Sequence, residues 1–395
     1  MRKVYLDHIA ATPLRPEVLE AMLPFFRGSY GNPQSLHSAG QEALQAVDEA
    51  RARVAGLLGA ASEEIIFTAA GSESNNFALK GMALANQARG KRIVVSAIEH
   101  ASVLNSTKAL EKFGFTTTLV PVDRFGRVDP GDVRKALTKD TVLVSVMTAN
   151  SEVGTIEPVA EIARVCRENG VLVHTDAVAA AGTIPVDVKA LGVDALSLAA
   201  DQFYGPKGAA ALFVRKGVRV LPLIDGGVQE GGRRGGTENV PAIVGMGKAA
   251  EIAAAGLGKK AEAAKTLRDL LIRELLSRAD HVVLTGHPEL RLPHHASFCV
   301  EFIEGESMLM FLNIEGIAVS SGSACTSRAL KASHVLIAMG ISHELAQGSL
   351  LCTFGLDNTN EDVDYVLKVL PPIVDRLRQM SPLYSKFIKA SKGGK

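Results

Sequence analysis

Between Pro16 and Met246, short runs of aliphatic and β-branched residues alternate with stretches whose apolar residues recur every three or four positions. Arg92–Ser96, Thr118–Val122, Val142–Met147, Val171–Thr175, Ala195–Leu198 and Ala210–Val214 read as strands, and Gln41–Leu58, Glu73–Ala88 and Val159–Asn169 as helices. Strands that pair in parallel need crossovers of a dozen or more residues, which these helical stretches supply. The alternation therefore predicts an α/β fold with a mainly parallel central sheet and helices on both faces. After Gly256 the pattern changes to a charged helix over Lys259–Ala279, a strand over Ala296–Phe302, a helix over Ser307–Asn313 and a last helix near Glu361–Met380. The expected division is an N-terminal arm (1–15) packing with a small α+β domain (256–395), and a large domain (16–255) between them. The boundary is placed between Lys248 and Lys259.

Charge narrows the partners. Lys plus Arg number 43 against 42 Asp plus Glu, a net +1, so no surplus field attracts nucleic acid or anionic lipid. The N-terminal segment meets Asp7 before any apolar run of signal-peptide length, and the expectation is a cytoplasmic protein without a membrane partner. Four cysteines, Cys166, Cys299, Cys325 and Cys352, are widely spaced with no CxxC pair, which fits a reducing compartment and excludes a one-segment zinc site.

Four segments can carry chemistry. IIFTAAGSESNN holds a β-like run ending at Thr68, a small-residue turn and a helix starting near Glu73. Free amides at that helix start, around Gly71, and the Ser72 hydroxyl suit a phosphate, although the same turn serves plain capping. His100 follows a strand in VVSAIEH and Asp176 ends another in VLVHTDA. In a parallel sheet both positions open on the ligand crevice. An imidazole stacked on a ring and an acid facing a pyridinium nitrogen suit a bound pyridine, while either residue also caps locally. Cys325 lies in VSSGSACTS, whose small polar residues favour an exposed thiol over a buried one, whereas the other three cysteines sit in segments patterned for packing.

In order and spacing these segments resemble the cysteine desulfurases of class V aminotransferase fold, nearly end to end. LDHIAATP is similar to the family's N-terminal arm, GNPQSLHSAG to its early glycine turn, FTAAGSESNN to its phosphate turn, IEH to its stacking histidine and TDA to its pyridinium aspartate. YGPKG, GGVQEGGRRGGT, EGES, SSGSACTS and the terminal SPLY follow in family order. The resemblance implies a homodimeric transferase of fold type I that binds pyridoxal phosphate (PLP). Its cofactor contacts would fall on Gly71, Ser72, His100, Ser151, Asp176 and Thr237. Cys325 would carry a persulfide, and the C-terminal region would dock an iron–sulfur scaffold protein or sulfur acceptor.

The departures from the family fall on the residues that do PLP chemistry. Before YGPKG the family has Ser, Gly, His and the Schiff-base Lys; here stand Ala199, Ala200, Asp201 and Gln202. An asparagine and a glutamine that meet the ring hydroxyl are replaced by Ser151 and Ala179, and the arginine that clamps the substrate carboxylate by Leu356. Losing one partner of a buried charge pair costs about 2–5 kcal/mol, so Leu356 alone weakens amino-acid binding by roughly 30- to 4,000-fold. Asp201 in place of a phosphate-binding histidine adds repulsion on the order of 4 kcal/mol per charge pair at ~4 Å. Lys207 lies five residues past the Schiff-base position and is read as structural. The sequence thus predicts a desulfurase-like protein without covalent PLP catalysis, acting through Cys325 as persulfide carrier or as ligand to an iron–sulfur cluster shared with a partner. The alternatives are a protein that uses PLP noncovalently and a heterodimer partner of an active paralogue.

Overall fold

The computed structural model describes residues 2–322 and 332–393, with side chains as far as Ala390. Its strands are β1 (Val4–Tyr5), β2 (Ile65–Thr68), β3 (Arg92–Ser96), β4 (Thr116–Val120), β5 (Thr141–Ser145), β6 (Leu172–Asp176), β7 (Ala195–Ala199), β8 (Ala210–Val214), β9 (Val282–Leu284), β10 (His295–Val300), β11 (Ile317–Ala318) and β12 (Ser349–Thr353). Strands β2 to β8 form one sheet in the order β2-β8-β7-β6-β5-β3-β4. All its pairs are parallel except those of β8, which runs antiparallel to both β2 and β7. β5, β6, β7 and β8 are buried throughout or nearly so, as expected of strands covered on both faces. From β3 the chain steps outward to β4, then returns to β5 and proceeds the other way. The carboxyl ends of β3 and β5 therefore flank a topological switch point, where open α/β sheets bind ligands.

A second sheet, β12-β10-β9, is wholly antiparallel. Its core joins Phe298, Leu350 and Val366 with Val4 and Leu6 of the N-terminal segment, whose β1 pairs with β11. A separate core under the large sheet contains Val47, Leu196, Phe213 and Met246. The helix Val240–Arg278 contributes Met246 to one core and Leu271 to the other. It is long and apolar enough over part of its length to match a membrane span by composition, but just over half of that window is buried inside the protein.

Local chemistry explains where elements depart from the sequence reading. β4 ends at Val120, not Val122, because Pro121 has no N–H for the ladder. β5 stops at Ser145, and the Met147 N–H turns instead to the Glu99 carboxyl at 2.8 Å. β10 stops at Val300, and Phe302 takes a φ of +69°. The helix expected from Lys259 begins at Val240, so the stretch from Lys248 to Lys259 is continuous helix. Two of its glycines serve close packing: a Cβ on Gly245 would fall 2.6 Å from Met22 Sδ, and one on Gly247 2.6 Å from Ala50 Cα. The helices Pro16–Arg27 and Pro382–Gly393 were not read from the sequence.

Candidate active site

Side chains converge at the carboxyl ends of β3, β5, β6 and β7. Asp176 closes β6 and is buried. It accepts hydrogen bonds from Asn75 Nδ2 at 2.6 Å and the Val178 N–H at 2.9 Å. Asn75 also donates to Ser102 Oγ at 2.9 Å, and that oxygen stands 2.7 Å from His100 Nδ1. Asp176 and His100 are thus linked through Asn75 and Ser102. Burial raises the Asp176 pKa, and its hydrogen bonds and the facing His100 lower it in part. A buried carboxylate whose direct donors are neutral favours a cationic partner such as a protonated ring nitrogen. Both residues also cap locally: the Ser102 N–H donates to His100 Nδ1, which makes His100 the N-cap of the helix Ala101–Leu110.

The expected phosphate turn opens directly into a helix. The helix Gly71–Ala85 starts two residues before the expected Glu73, and Ser72 is exposed in its first turn. A Cβ on Gly71 would meet Val178 Cγ2 at 2.7 Å and Ala199 Cβ at 3.6 Å, so the helix start, the turn after β6 and the end of β7 abut. Glu73 turns its carboxylate back to the Ala69 N–H at 2.8 Å and pairs with Arg234 at 2.9 Å. Arg234 belongs to the glycine-rich loop that carries Thr237. The buried Glu230 of that loop takes Arg51 at 2.7 Å and the Phe67 N–H at 2.9 Å, which pins the loop to β2. Thr237 itself is exposed.

Past β5, Asn150 Nδ2 donates to the Ile98 carbonyl at 3.0 Å, tying the ends of β5 and β3 together. Ser151 is half-buried in the following turn, with its carbonyl 2.8 Å from His295 Nε2. Two buried acids that the sequence reading left without a role lie nearby. Glu99 Oε1 accepts from Ser96 at 2.7 Å and from Met147, while Oε2 has no partner; burial pushes its pKa up to about 8. Glu152 is pushed up to about 7 by burial, against a hydrogen bond from Ser333. Glu99 had a signal in the quoted IEH, and Asn75 in GSESNN; neither spacing says that the side chain points inward.

At the end of β7, Ala199 and Ala200 are buried and offer no polar atom, and the turn Ala200–Gln202 follows. The N-terminal arm holds that turn: the Thr12 N–H and Oγ1 both donate to the Asp201 carbonyl, at 2.9 and 2.8 Å, and the Tyr204 N–H donates to Thr12 Oγ1 at 2.7 Å. Burial raises the Asp201 pKa, partly opposed by its own backbone N–H and by Lys207. Gln202 is half-buried and lines a cavity with Tyr204 and Leu356, in whose wall Ser72, His100 and Asp176 take no part. Leu356 is held by its N–H to Tyr204 Oη at 2.9 Å. Cys325 lies outside the described residues. Cys166, Cys299 and Cys352 are buried, and burial pushes each thiol up to about 12, so all three stay protonated and inert.

PLP is the cofactor that the fold implies, and the donor set fits it only in part. Asp176 and His100 suit its ring. The turn after β7 offers an amide where a covalent link needs an amine, and a carboxylate where a phosphate needs a cation or donor. These residues do not fit a covalently held cofactor.

Residues 4–366 match the aminotransferase class-V family. The chain is 51% identical over 381 residues to the cysteine desulfurase IscS of Dictyoglomus turgidum, covering 96% of this chain and 97% of that protein. It is 49% identical over 385 residues to the IscS of Methanosarcina thermophila, covering 98% and 95%. Among solved structures, a NifS-like protein superposes with a TM-score of 0.90 at 40% identity over 95% of this chain and all of that one. SspA in complex with cysteine gives 0.79 at 33% identity over 89% and 99%. With a sheet, switch point and strand-end acid of this kind, and relatives of this identity along almost its whole length, the chain belongs to the class-V aminotransferase family, among the relatives of its cysteine desulfurases.

Proposed function

We propose that the protein serves sulfur transfer or iron–sulfur cluster assembly without running Schiff-base chemistry of its own. What supports this reading is the turn Ala200–Gln202, whose Gln202 amide and Asp201 carboxylate stand, by the resemblance to the cysteine desulfurases, at the positions of an amine and an imidazole. Cys325 is the residue we assign to sulfur. As a thiolate it attacks the outer sulfur of a donor persulfide; the donor's S–S bond breaks and the donor leaves as a thiolate. The same thiolate can complete a ligand set around iron together with a partner's cysteines. Neither task uses a lysine in this subunit. The other three cysteines do not compete, because burial keeps them protonated. A homodimer, and a scaffold protein or sulfur acceptor bound near Ser381–Tyr384, complete the proposal. Replacing each cysteine with serine and measuring persulfide content, bound iron and sulfide under anaerobic conditions tests it. Cys325→Ser is expected to abolish all three signals; a Cys325→Ser protein equal to the parent overturns the reading.

A second reading rests on Asp176. PLP supplies an electron sink for bonds at an amino acid's α-carbon when it is bound. In this chain Asp176, through its carboxylate, and His100, through its ring face, would hold such a ring noncovalently. Borohydride treatment with PLP should then label no active-site lysine, and a stoichiometric label on Lys207 would overturn the assignment of that residue as structural.

A further inference from the structure

The cavity beside Gln202 has features that the sulfur-handling reading does not use. It lies between the N-terminal segment, the middle of the helix Val240–Arg278 and the residues after β12, and has about 100 Å³ of internal space. That is several times the ~10–15 Å³ that one water needs on this measure. Among the described residues no acidic side chain lines it. Lys260 does line it, and makes no salt bridge among the described residues; its one hydrogen bond goes to the Ile252 carbonyl at 3.2 Å. Two buried histidines, His8 and His294, face the same space, and among the described residues the Nδ1 of each is buried without a hydrogen-bond partner. Burial lowers the pKa of both, that of His294 to about 3, so each is neutral near pH 7 and still carries one N–H. Tyr204 Oη accepts from the Leu356 N–H and keeps its own proton for an acceptor, since burial pushes the phenol up to about 12.

A buried polar atom without a partner is costly, and one cation with several neutral donors and no carboxylate selects a single negative charge. The remaining wall is apolar, with Leu267, Phe354, Leu356 and Ala264. A phosphate or sulfate would leave that wall against water or against charge, whereas a short hydrocarbon tail covers it. We propose that this cavity is a binding site for a small monocarboxylate with a short aliphatic tail, its carboxylate toward Lys260 and the two histidines. The site shares Gln202 and Leu356 with the positions that the resemblance gives to the Schiff base and the substrate carboxylate, but it uses neither Asp176 nor His100 and needs no bound cofactor.

Isothermal titration of the full-length protein with the series acetate, propionate, butyrate and hexanoate, with inorganic phosphate alongside, tests this. Saturable binding with an optimum at an intermediate chain length is expected. Lys260→Met should weaken it roughly 10- to 100-fold, the range for a hydrogen bond to a charged group. Ala264→Leu, which fills space from a helical position that favours leucine, should move the optimum to a shorter acid. Asp176→Ala should leave the affinity unchanged. The proposal is overturned by the absence of saturable binding, by phosphate binding as well as butyrate, by a Lys260→Met affinity equal to the parent's, by an optimum that Ala264→Leu does not move, or by loss of binding in Asp176→Ala.

Discussion

The carboxyl ends of β6 and β7 lie side by side in one parallel pair, with Asp176 opposite Ser197, yet they carry opposite kinds of side chain. β6 ends on a buried carboxylate held by Asn75 and Val178 and linked through Ser102 to His100, which leaves it suited to a positive ligand. β7 ends on two alanines, then Asp201 and Gln202, which can neither form an imine nor attract a phosphate. The backbone is equally well anchored in both places, since Thr12 fixes the Asp201–Tyr204 turn with three hydrogen bonds. The backbone is therefore fixed at both strand ends, while their side chains offer different chemistry. On the proposed reading such a scaffold accommodates alanine in place of a small polar residue, and Gln202 lines a cavity.

The largest effect is expected from rebuilding the β7 side. On the proposed reading, Gln202→Lys alone should give at most trace cysteine desulfurase turnover, because Leu356 would leave the substrate carboxylate unclamped and Asp201 would repel the phosphate. Adding Leu356→Arg and Asp201→His should raise alanine and sulfide release by at least roughly 30-fold over the single variant, the low end for restoring a buried charge partner. Robust turnover by Gln202→Lys alone would break the contrast between the two strand ends.

A smaller effect sharpens the same contrast through its sign. In noncovalent PLP binding, followed by absorbance, Asp176→Ala should weaken affinity about 10- to 100-fold, since it removes a charged hydrogen-bond acceptor for the ring nitrogen. Asp201→Ala should strengthen affinity several-fold by removing repulsion. If both variants weaken binding, Asp201 is a ligand and not an obstacle.

Much of this arrangement was legible in the chain. The alternation of strands and helices specified the parallel sheet, and strand ends placed His100 and Asp176 at its ligand edge, because sheet topology leaves little choice there. What could not be read depended on side-chain direction and on contacts across hundreds of residues. Nothing in LDHIAATP says that Thr12 holds the Asp201 turn or that His8 meets a cavity wall formed by Pro293, His294 and Phe354. The long helix starts at Val240 although Gly245 and Gly247 disfavour a helix interior, and only the approach of Met22 and Ala50 shows why they are there. Glu99 reads as an ordinary surface acid until its burial is known.

That buried acid supplies the smallest effect, and it belongs to the β6 side. Glu99, Glu152 and Glu157 have pKa values raised by burial from 4.5 to about 8, 7 and 8, with Asp176 and Glu157 adding to the rise at Glu99. Between the unfolded and folded values the native chain keeps a proton that the unfolded chain has released, so stability falls as pH climbs from about 4.5 to about 8. His174 and His294, lowered from 6.5 to about 3, work the other way: below 6.5 the unfolded chain takes up protons that the native chain does not, and stability rises with pH up to that point. The two sets oppose each other at acid pH; above about 6.5 the carboxyls dominate, and above about pH 8 the buried thiols, raised from 9.0 to about 12, add to the same decline. Denaturant unfolding should therefore show stability declining between pH 7 and about 8, by at most ~1.4 kcal/mol per pH unit for each carboxyl involved. Glu99→Gln retains an acceptor for Ser96 and Met147 while removing one titrating proton, so its decline over that interval should be about half the parent's. Asp176→Ala should move the end of the decline slightly to lower pH, because removing the repulsion that Asp176 exerts lowers the Glu99 pKa. A parent stability that is flat from pH 7 to 8.5, or a Glu99→Gln protein with the parent's full slope, would mean that Glu99 is already ionised in the folded chain and that the polar side of the crevice carries one more negative charge than Asp176 supplies.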